Sequence, residues 1–190
     1  MEDQCTNTAL LVMDMQMGIL RNLPDEKKVV INKVREAIDI ARQKGVPILF
    51  IRLGFHNGFP EIGPDNKQFW EMKQSVNDSI LPAFMELHPG LGVQDGDIII
   101  NKKRLSAFSG NELDMILRAK SIRHLVLSGV SSSGIVLSTF CAAFDKDYQL
   151  TVLSDACADR NEETHQLLMN NVFVGRANIY TVNEWKATLL

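Results

Sequence analysis

Short apolar runs of strand length alternate with segments of helical periodicity along the chain, and this alternation restricts the possible folds more than any other feature. Uniformly apolar strands are typical of a parallel sheet that is covered on both faces. Right-handed crossovers then leave a doubly wound α/β topology as the economical solution. We therefore expect a single α/β domain over residues 1–190, with a mostly parallel six-stranded sheet and helices on both faces. The predicted strands are 9–13, 46–51, 98–100, 125–127, 150–153 and 177–181, and the predicted helices are 25–44, 66–75, 111–120, 135–146 and 161–172.

Composition and charge exclude several classes of protein. Of the 190 residues, 45% are hydrophobic and 23% are charged, and the net charge is −3. Because 20 Lys and Arg are spread among 23 Asp and Glu, the sequence has no basic patch typical of nucleic-acid binding. The apolar runs are too short to span a bilayer, and the acidic residues 1–4 lack the basic region of a secretory signal. We expect a cytoplasmic protein that binds neither nucleic acid nor a membrane.

The three cysteines, Cys5, Cys141 and Cys157, have the spacing of neither a metal site nor a disulfide framework. Cys141 lies about two turns inside a predicted helix, away from the N-terminal dipole that activates a thiol. Cys157 falls in a predicted loop and Cys5 near the N-terminus, so all three are interpreted as structural. The sequence has no G-x-G-x-x-G fingerprint and no P-loop. We expect neither a metal nor another cofactor.

Polar residues at the predicted strand ends are the candidates for function. In a doubly wound sheet the ligand crevice lies outside the carboxyl ends of the strands. The features at the ends of the predicted strands are Asp14, Arg52, Lys102, the turn 129–134 and Asp155. We therefore expect the catalytic and binding groups among these positions.

Asp14 and Lys102 are the candidate catalytic pair. Asp14 ends a wholly apolar strand, where partial burial raises the pKa of a carboxyl group and suits it to acid–base work near neutral pH. Lys102 enters the same predicted crevice and is suited to pair with Asp14 or to stabilise negative charge that develops there. The alternatives are a loop-anchoring or helix-capping Asp14, and a Lys102 that belongs to a solvated basic run.

The turn 129–134 joins a predicted strand to a predicted helix and carries three consecutive serines. Exposed backbone N–H groups at such a place can hold an anion or an oxyanion. We expect Ser131, Ser132, Ser133 and Gly134 to contact the substrate.

A serine nucleophile in this turn is not expected, because it needs a neighbouring general base. The histidines lie in separate segments of the chain. They are His56, His88, His124 and His165. The simpler interpretation is that Ser132 and Ser133 cap the following helix.

Four segments of the chain together resemble the isochorismatase-like hydrolases of the cysteine hydrolase superfamily. Leu10-Leu11-Val12-Met13-Asp14-Met15-Gln16 looks like the first-strand signature of the family, and Lys102-Lys103-Arg104-Leu105-Ser106-Ala107-Phe108 looks like its lysine segment. Residues 125–130 and 151–156 resemble its fourth and fifth strands. The resemblance extends over nearly the whole chain and implies the same doubly wound fold.

The resemblance also carries over an Asp-Lys-Cys triad, but only in part. It places the Asp role on Asp14 and the Lys role on Lys102. The cysteine is expected six residues after Gly129, and that position is Ile135. Isoleucine cannot act as a nucleophile, and Cys141 stands six positions too late to replace it. The Asp and His metal motif of the family's nicotinamidases has no counterpart here, so that activity is disfavoured.

The expected function is therefore a hydrolase that does not depend on a cysteine. The isochorismatase branch of the family needs only the acid, because protonation of a vinyl ether gives an oxocarbenium ion that water captures. In this hypothesis Asp14 is the acid, and Lys102 and Arg52 bind the carboxylates of a small substrate. A second route keeps hydrolysis by letting Asp14 activate water directly on an amide. The alternative is a catalytically silent relative that binds a ligand or forms an assembly. A raised pKa of Asp14 favours the acid, whereas a strongly lowered one favours a static pair.

Two further expectations concern the surroundings of the site. The loop 55–62 is predicted to form one wall of the crevice, with Phe55 and Phe59 either contacting the substrate or pinning the loop onto the core. Trp70 on the next helix is interpreted as a core or subunit contact. The family resemblance implies a homo-oligomer, a dimer or a tetramer.

Overall fold

In the computed structural model, which describes residues 7–189, the framework is one six-stranded sheet. All neighbouring strands are parallel, in the order β3-β2-β1-β4-β5-β6. This confirms the predicted doubly wound α/β fold. The strands are β1 (Thr8–Met13), β2 (Ile48–Leu53), β3 (Ile98–Lys102), β4 (His124–Val130), β5 (Gln149–Ala158) and β6 (Asn178–Tyr180).

Eight α-helices connect and cover these strands within residues 7–189. They are α1 (Met17–Leu20), α2 (Val30–Gln43), α3 (Lys67–Ser75), α4 (Leu81–Met85), α5 (Leu113–Ala119), α6 (Leu137–Phe144), α7 (Glu162–Leu167) and α8 (Val182–Thr188). Short 3₁₀ turns cover Asp25–Lys27 and Pro89–Leu91, and π-helical turns cover Ser132–Val136 and Leu168–Val172.

Some element boundaries differ from the predictions for local reasons. The helix predicted from residue 25 begins at Val30 behind a 3₁₀ turn, and the helix predicted over 135–146 starts with the π turn. The short helices α1 and α4 were not predicted. Helix α8 was missed although Thr181 and Glu184 form a capping box at its start, because Thr181 was included in the last predicted strand.

The central strand β1 is buried on both faces and separates two layers of core. Its residues alternate, so that Leu11 and Met13 pack with α5 and α6, whereas Leu10 and Val12 pack with α2 and α8. All four side chains are fully buried. This burial on two sides is the reason why the strand is uniformly apolar.

A third apolar cluster is formed by the end of β2 and the segment of the chain that connects β2 to β3. It is built from the long connection after β2 together with α3 and α4, and includes Leu53, Phe55, Phe59, Ile62, Phe69, Val76, Leu81 and Phe84. We call it the aromatic cluster.

The chain reverses its winding direction between β1 and β4, and this switch point positions the site. Met13 and Gly129 are register partners there. Gly129 has φ of 130°, and a Cβ atom at this position would lie 2.0 Å from the Met13 carbonyl oxygen. Glycine therefore allows β4 to pass close to β1. The residues that follow the two strands, Asp14 and Ser131, emerge side by side where open α/β sheets bind ligands.

Candidate active site

A cleft of about 590 Å³ opens at the carboxyl end of the sheet, over the switch point. Asp14 and Lys102 line it, together with the turn after β4 and the side chains of Ile135, Phe69 and Phe84. Arg21 and Arg160, both exposed, also line it. The cleft thus joins charged groups at the strand ends with apolar groups of the aromatic cluster.

Asp14 and Lys102 form a buried ion pair in this cleft. The distance from Asp14 Oδ2 to Lys102 Nζ is 2.9 Å, and the two side chains are 9% and 1% exposed. Lys102 Nζ also donates a hydrogen bond of 2.9 Å to the Arg104 carbonyl oxygen. The other carboxylate oxygen, Asp14 Oδ1, is buried without a hydrogen-bond partner in the described part of the chain. It is therefore the carboxylate oxygen with free hydrogen-bonding capacity.

The backbone and the surroundings of Asp14 both set it apart. Its φ is +54°, a left-handed conformation that is uncommon outside glycine and that often marks functional positions. Its N–H donates to the Ile51 carbonyl oxygen at 2.8 Å. Burial raises the pKa of the Asp14 carboxyl, and the Lys102 ammonium offsets part of that rise. The direction of this shift favours the acid role over a static pair.

The turn of residues 131–134, which we call the serine turn, presents its three hydroxyls in different directions. Ser131, Ser133 and Gly134 line the cleft, whereas Ser132 does not. Ser133 donates from its N–H (2.8 Å) and its Oγ (2.7 Å) to Asp159 Oδ2. Ser132 Oγ is hydrogen-bonded to His165 Nδ1 at 2.8 Å. Ser132 does not line the cleft, and this corrects its predicted contact with the substrate. The predicted capping of the following helix is corrected as well, because Ser132 and Ser133 lie inside the π turn Ser132–Val136.

Arg52 does not reach the cleft, which corrects its predicted role as a substrate ligand. Strand β2 continues to Leu53, the register partner of Lys102, whereas Arg52 is paired with Asn101. Because successive side chains of a strand point to opposite faces, Arg52 points away from the face of Lys102. Its guanidinium donates to Asn101 Oδ1 (2.8 Å) and to the Met85 carbonyl oxygen (3.1 Å).

Phe55 and Phe59 pack inside the aromatic cluster rather than against a ligand. The centroid of the Phe55 ring lies 5.7 Å from that of Phe59 and 6.1 Å from that of Phe69. Of these three rings only Phe69 lines the cleft. Of the two roles expected for Phe55 and Phe59, the structure favours pinning of the loop onto the core over contact with the substrate. Trp70 is partly buried beside this cluster.

Within residues 7–189 no thiol lines the cleft. Ile135, which does line it, is 2% exposed. Cys141 is exposed on α6, and Cys157 is buried, where burial raises the pKa of its thiol to about 12. Cys5 lies outside the described residues. The same range contains no group of three or more His, Cys, Asp or Glu side chains placed to hold a metal, and no helix long and apolar enough to cross a membrane.

Sequence reasoning missed three polar residues that shape the site. Gln16 is fully buried, and its side chain bonds the Leu53 backbone N–H (2.7 Å) and the carbonyls of Leu53 (3.1 Å) and Phe84 (2.9 Å). It thereby ties the end of β2 to α4. The only sequence signal of this role is weak: a glutamine that stands between two methionines, two residues after Asp14. Asp159 and His165 hold the serine turn from 26 and 33 residues away, and no local pattern indicates such contacts.

Comparisons with known proteins agree with the fold. The Isochorismatase domain model matches residues 8–184 of the chain. The isochorismatase family protein YwoC of Bacillus subtilis is 31% identical over 166 residues, which cover 87% of this chain and 85% of that protein. The ureidoacrylate amidohydrolase RutB of Stutzerimonas stutzeri is 30% identical over 184 residues, covering 86% and 74%. The structure of an isochorismatase family protein from Burkholderia thailandensis superposes with a TM-score of 0.83 at 25% identity and covers 97% of this chain and 96% of that chain.

Proposed function

The chain belongs to the isochorismatase family, as its motifs predicted, and from this premise we propose that it is a hydrolase that uses Asp14 as its acid–base group without a cysteine. In this proposal one domain spans the chain, Lys102 is the electrostatic partner of Asp14, and the substrate is a small carboxylated or amide-bearing molecule. The observation that carries the proposal is Asp14 Oδ1, a buried carboxylate oxygen in the cleft that has no partner within residues 7–189.

The raised pKa of Asp14 supports a role as a general acid. A group whose pKa is raised by burial keeps more of its protonated form near neutral pH, where a proton donor is useful. With Oδ2 held by Lys102, the proton is carried on Oδ1, the buried oxygen that has no hydrogen-bond partner within residues 7–189. Transfer of this proton to the methylene carbon of a vinyl ether gives an oxocarbenium ion. Addition of water and collapse of the hemiketal then release a ketone and an alcohol.

The ionised form of the same carboxyl supports hydrolysis of an amide. Asp14 then accepts a proton from a water molecule as its oxygen attacks the amide carbonyl, and returns the proton to the leaving nitrogen. The positive charge of Lys102 lies beside the carboxyl and stabilises negative charge that develops in the cleft. Similarity to a protein named as a ureidoacrylate amidohydrolase is the reason to keep amides among the substrates tested.

We assign the family's nucleophile position to Ile135, which acts as an apolar wall of the cleft. The alignment of the turn motif and the position of Ile135 in the cleft lining support this assignment. The two cysteines inside the described range do not replace the nucleophile, because neither lines the cleft. A covalent thioester intermediate is therefore not part of the proposed reaction.

A silent, ligand-binding relative is the second candidate, and the closed ion pair between Asp14 and Lys102 favours it. A salt bridge of 2.9 Å with both side chains buried also describes a structural pair. Against it stands the free hydrogen-bonding capacity of Asp14 Oδ1 inside a cleft.

The test uses purified protein, isochorismate and ureidoacrylate, with pyruvate release and loss of ureidoacrylate as the measurements. Asp14→Asn is expected to lower turnover by about 10²- to 10⁴-fold, the usual contribution of general acid–base catalysis. Asp155→Asn is the matched control, because Asp155 is an aspartate of β5 that lies outside the cleft lining, where it accepts a hydrogen bond from the Val182 N–H.

Full activity of Asp14→Asn would refute the acid–base role. Binding of either compound by calorimetry without turnover would favour the silent relative.

The cytoplasmic location and the homo-oligomer implied by the family resemblance are part of the same proposal. The exposed side chains of Met115, Leu167 and Val174 are apolar groups available for contacts between copies. Sedimentation at several protein concentrations tests the oligomeric state, and a monomer at all of them would contradict it.

A further inference from the structure

Ser132 is the one serine of the serine turn that faces the protein interior. It is fully buried, whereas its neighbours Ser131 and Ser133 line the cleft. Its hydroxyl shares a hydrogen bond of 2.8 Å with Nδ1 of His165, which is 7% exposed. His165 lies on α7 and does not line the cleft. The pair is therefore placed to act on the turn without touching a substrate.

A second contact fixes the same turn to the same segment of the chain. Asp159, at the end of β5, accepts two hydrogen bonds from Ser133 and a third, of 3.3 Å, from the Asn161 N–H. Two consecutive residues of the turn are thus bound to residues 159–165. Asp159 lines the cleft and can also contact a ligand, whereas neither Ser132 nor His165 lines it.

The composition of the turn makes such a restraint necessary. Gly129 lies two residues before the serine turn and Gly134 is its last residue, and glycine has the largest backbone freedom of all residues. Neither is easily replaced by a stiffer residue. A Cβ atom at Gly129 would collide with the backbone of β1, and one at Gly134 would lie 2.7 Å from Ser131 Oγ. The stiffness has to come from tertiary hydrogen bonds, of which the buried one to His165 is the better shielded from water.

We propose that His165, acting through Ser132, is a positioning residue that fixes the serine turn and so aims the polar groups of Ser131 at the substrate. The inference rests on the proposed hydrolase function for its effect on turnover. The restraint of the turn itself is independent of any substrate.

The test compares Ser132→Ala with Ser128→Ala as a matched control. Ser128 is also a fully buried serine near the end of β4, and its Oγ donates to the Leu11 carbonyl oxygen at 2.9 Å. Both variants lose one buried hydrogen bond, but only Ser132→Ala releases the turn. Ser132→Thr keeps the hydroxyl and serves as the conservative rescue. Amide hydrogen exchange of the peptide covering residues 131–136, followed by mass spectrometry, is measured in all four proteins.

Exchange in this peptide is expected to be about tenfold faster in Ser132→Ala, as removal of one net hydrogen bond predicts. It should stay close to the wild-type rate in Ser128→Ala and in Ser132→Thr. Equal exchange in the two alanine variants, or no rescue by threonine, would overturn the proposal.

Turnover separates this inference from the proposed function. If wild-type protein releases pyruvate from isochorismate, kcat should fall about tenfold in Ser132→Ala and remain near normal in Ser128→Ala, because misdirected groups lose transition-state contacts. Unchanged kcat with faster exchange would overturn the positioning role. If wild-type protein turns over no substrate, the exchange result alone still decides whether His165 holds the turn.

Discussion

The serine turn and the aromatic cluster lie at the same edge of the sheet, but they are held by different forces. The turn follows β4, bears hydroxyls and is fixed by hydrogen bonds to Asp159 and His165. The cluster follows β2 and is fixed by packing among rings such as Phe55, Phe59 and Phe69. Hydrogen bonds are directional, whereas apolar packing is not. The turn can therefore aim polar groups, and the cluster supplies only the shape of a wall.

The buried pair of Asp14 and Lys102 belongs to the polar side of this comparison. Each of the two charges depends on the other for compensation, because both side chains are almost completely buried. On the apolar side the loss of one ring removes contacts but leaves no uncompensated charge. The two sides should therefore respond differently to single substitutions.

The largest effect is expected from Lys102→Met, which leaves the Asp14 carboxylate buried without its cation. Removal of one partner of a buried pair costs about 3–5 kcal/mol, and we expect a loss of this size in the free energy of unfolding at pH 8, measured with urea. Because burial already raises the pKa of Asp14, the loss should shrink at acidic pH, where the carboxyl becomes protonated. The double variant with Asp14→Asn should recover much of the stability. A double variant no more stable than Lys102→Met would show that the pair is not the cause.

A smaller loss is expected on the apolar side from Phe55→Ala. Deletion of a buried ring costs about 3 kcal/mol through lost burial and the cavity left behind. Since Phe55 does not line the cleft, KM and kcat should remain near wild type at temperatures where the variant is folded. Phe69→Ala is the matched comparison, because Phe69 packs on Phe55 and also lines the cleft. If KM changes in Phe55→Ala but not in Phe69→Ala, the loop that carries Phe55 reaches the substrate.

The pH dependence of stability gives a further test of the polar groups that hold the serine turn. Burial lowers the pKa of His165, Lys27 acts in the same direction, and Asp159 opposes it. An unfolded histidine then takes up its proton before the folded one, so stability should fall as pH drops below about 6.5 towards the folded pKa. Burial also lowers the pKa of His124, which contributes to the same slope. His165→Asn should flatten this pH dependence of the free energy of unfolding, measured with urea between pH 5 and 7. We expect the change in free energy to be smaller than the loss caused by Phe55→Ala. An unchanged slope would exclude His165 as one of its sources.

How much was predictable from sequence follows from the range of each interaction. The parallel sheet was predicted because burial on both faces gives apolar strands. Asp14 and Lys102 were recognised as candidates because they stand directly after, or within two residues of, the ends of predicted strands. Arg52 was misplaced because β2 extends two residues beyond its predicted end. Its side-chain direction depends on register with β3, which sequence does not reveal.

The remaining errors concern contacts between distant segments. Phe55 is buried by Phe69 on α3, so the choice between substrate contact and core packing depends on where that helix lies. The bond from Ser132 to His165 spans 33 residues and leaves no periodic or local pattern. A triad was rejected from sequence because the histidines lie in segments separate from the serine turn. The structure brings a histidine to the turn, but on the side away from the cleft.

The smallest effect is expected from Arg52→Met, a direct check on the correction at the end of β2. Arg52 is half-buried, and its guanidinium is engaged by Asn101 and the Met85 carbonyl, so it has no role in the proposed reaction. We expect kcat/KM to stay within about twofold of wild type, as for a residue without transition-state contacts. The matched substitution is Arg160→Met at the cleft, where an exposed guanidinium can attract an anionic substrate and its loss should raise KM up to about tenfold. If Arg52→Met raises KM as much as Arg160→Met does, the β2 side carries a substrate contact, and the division between a polar binding side and an apolar supporting side is wrong.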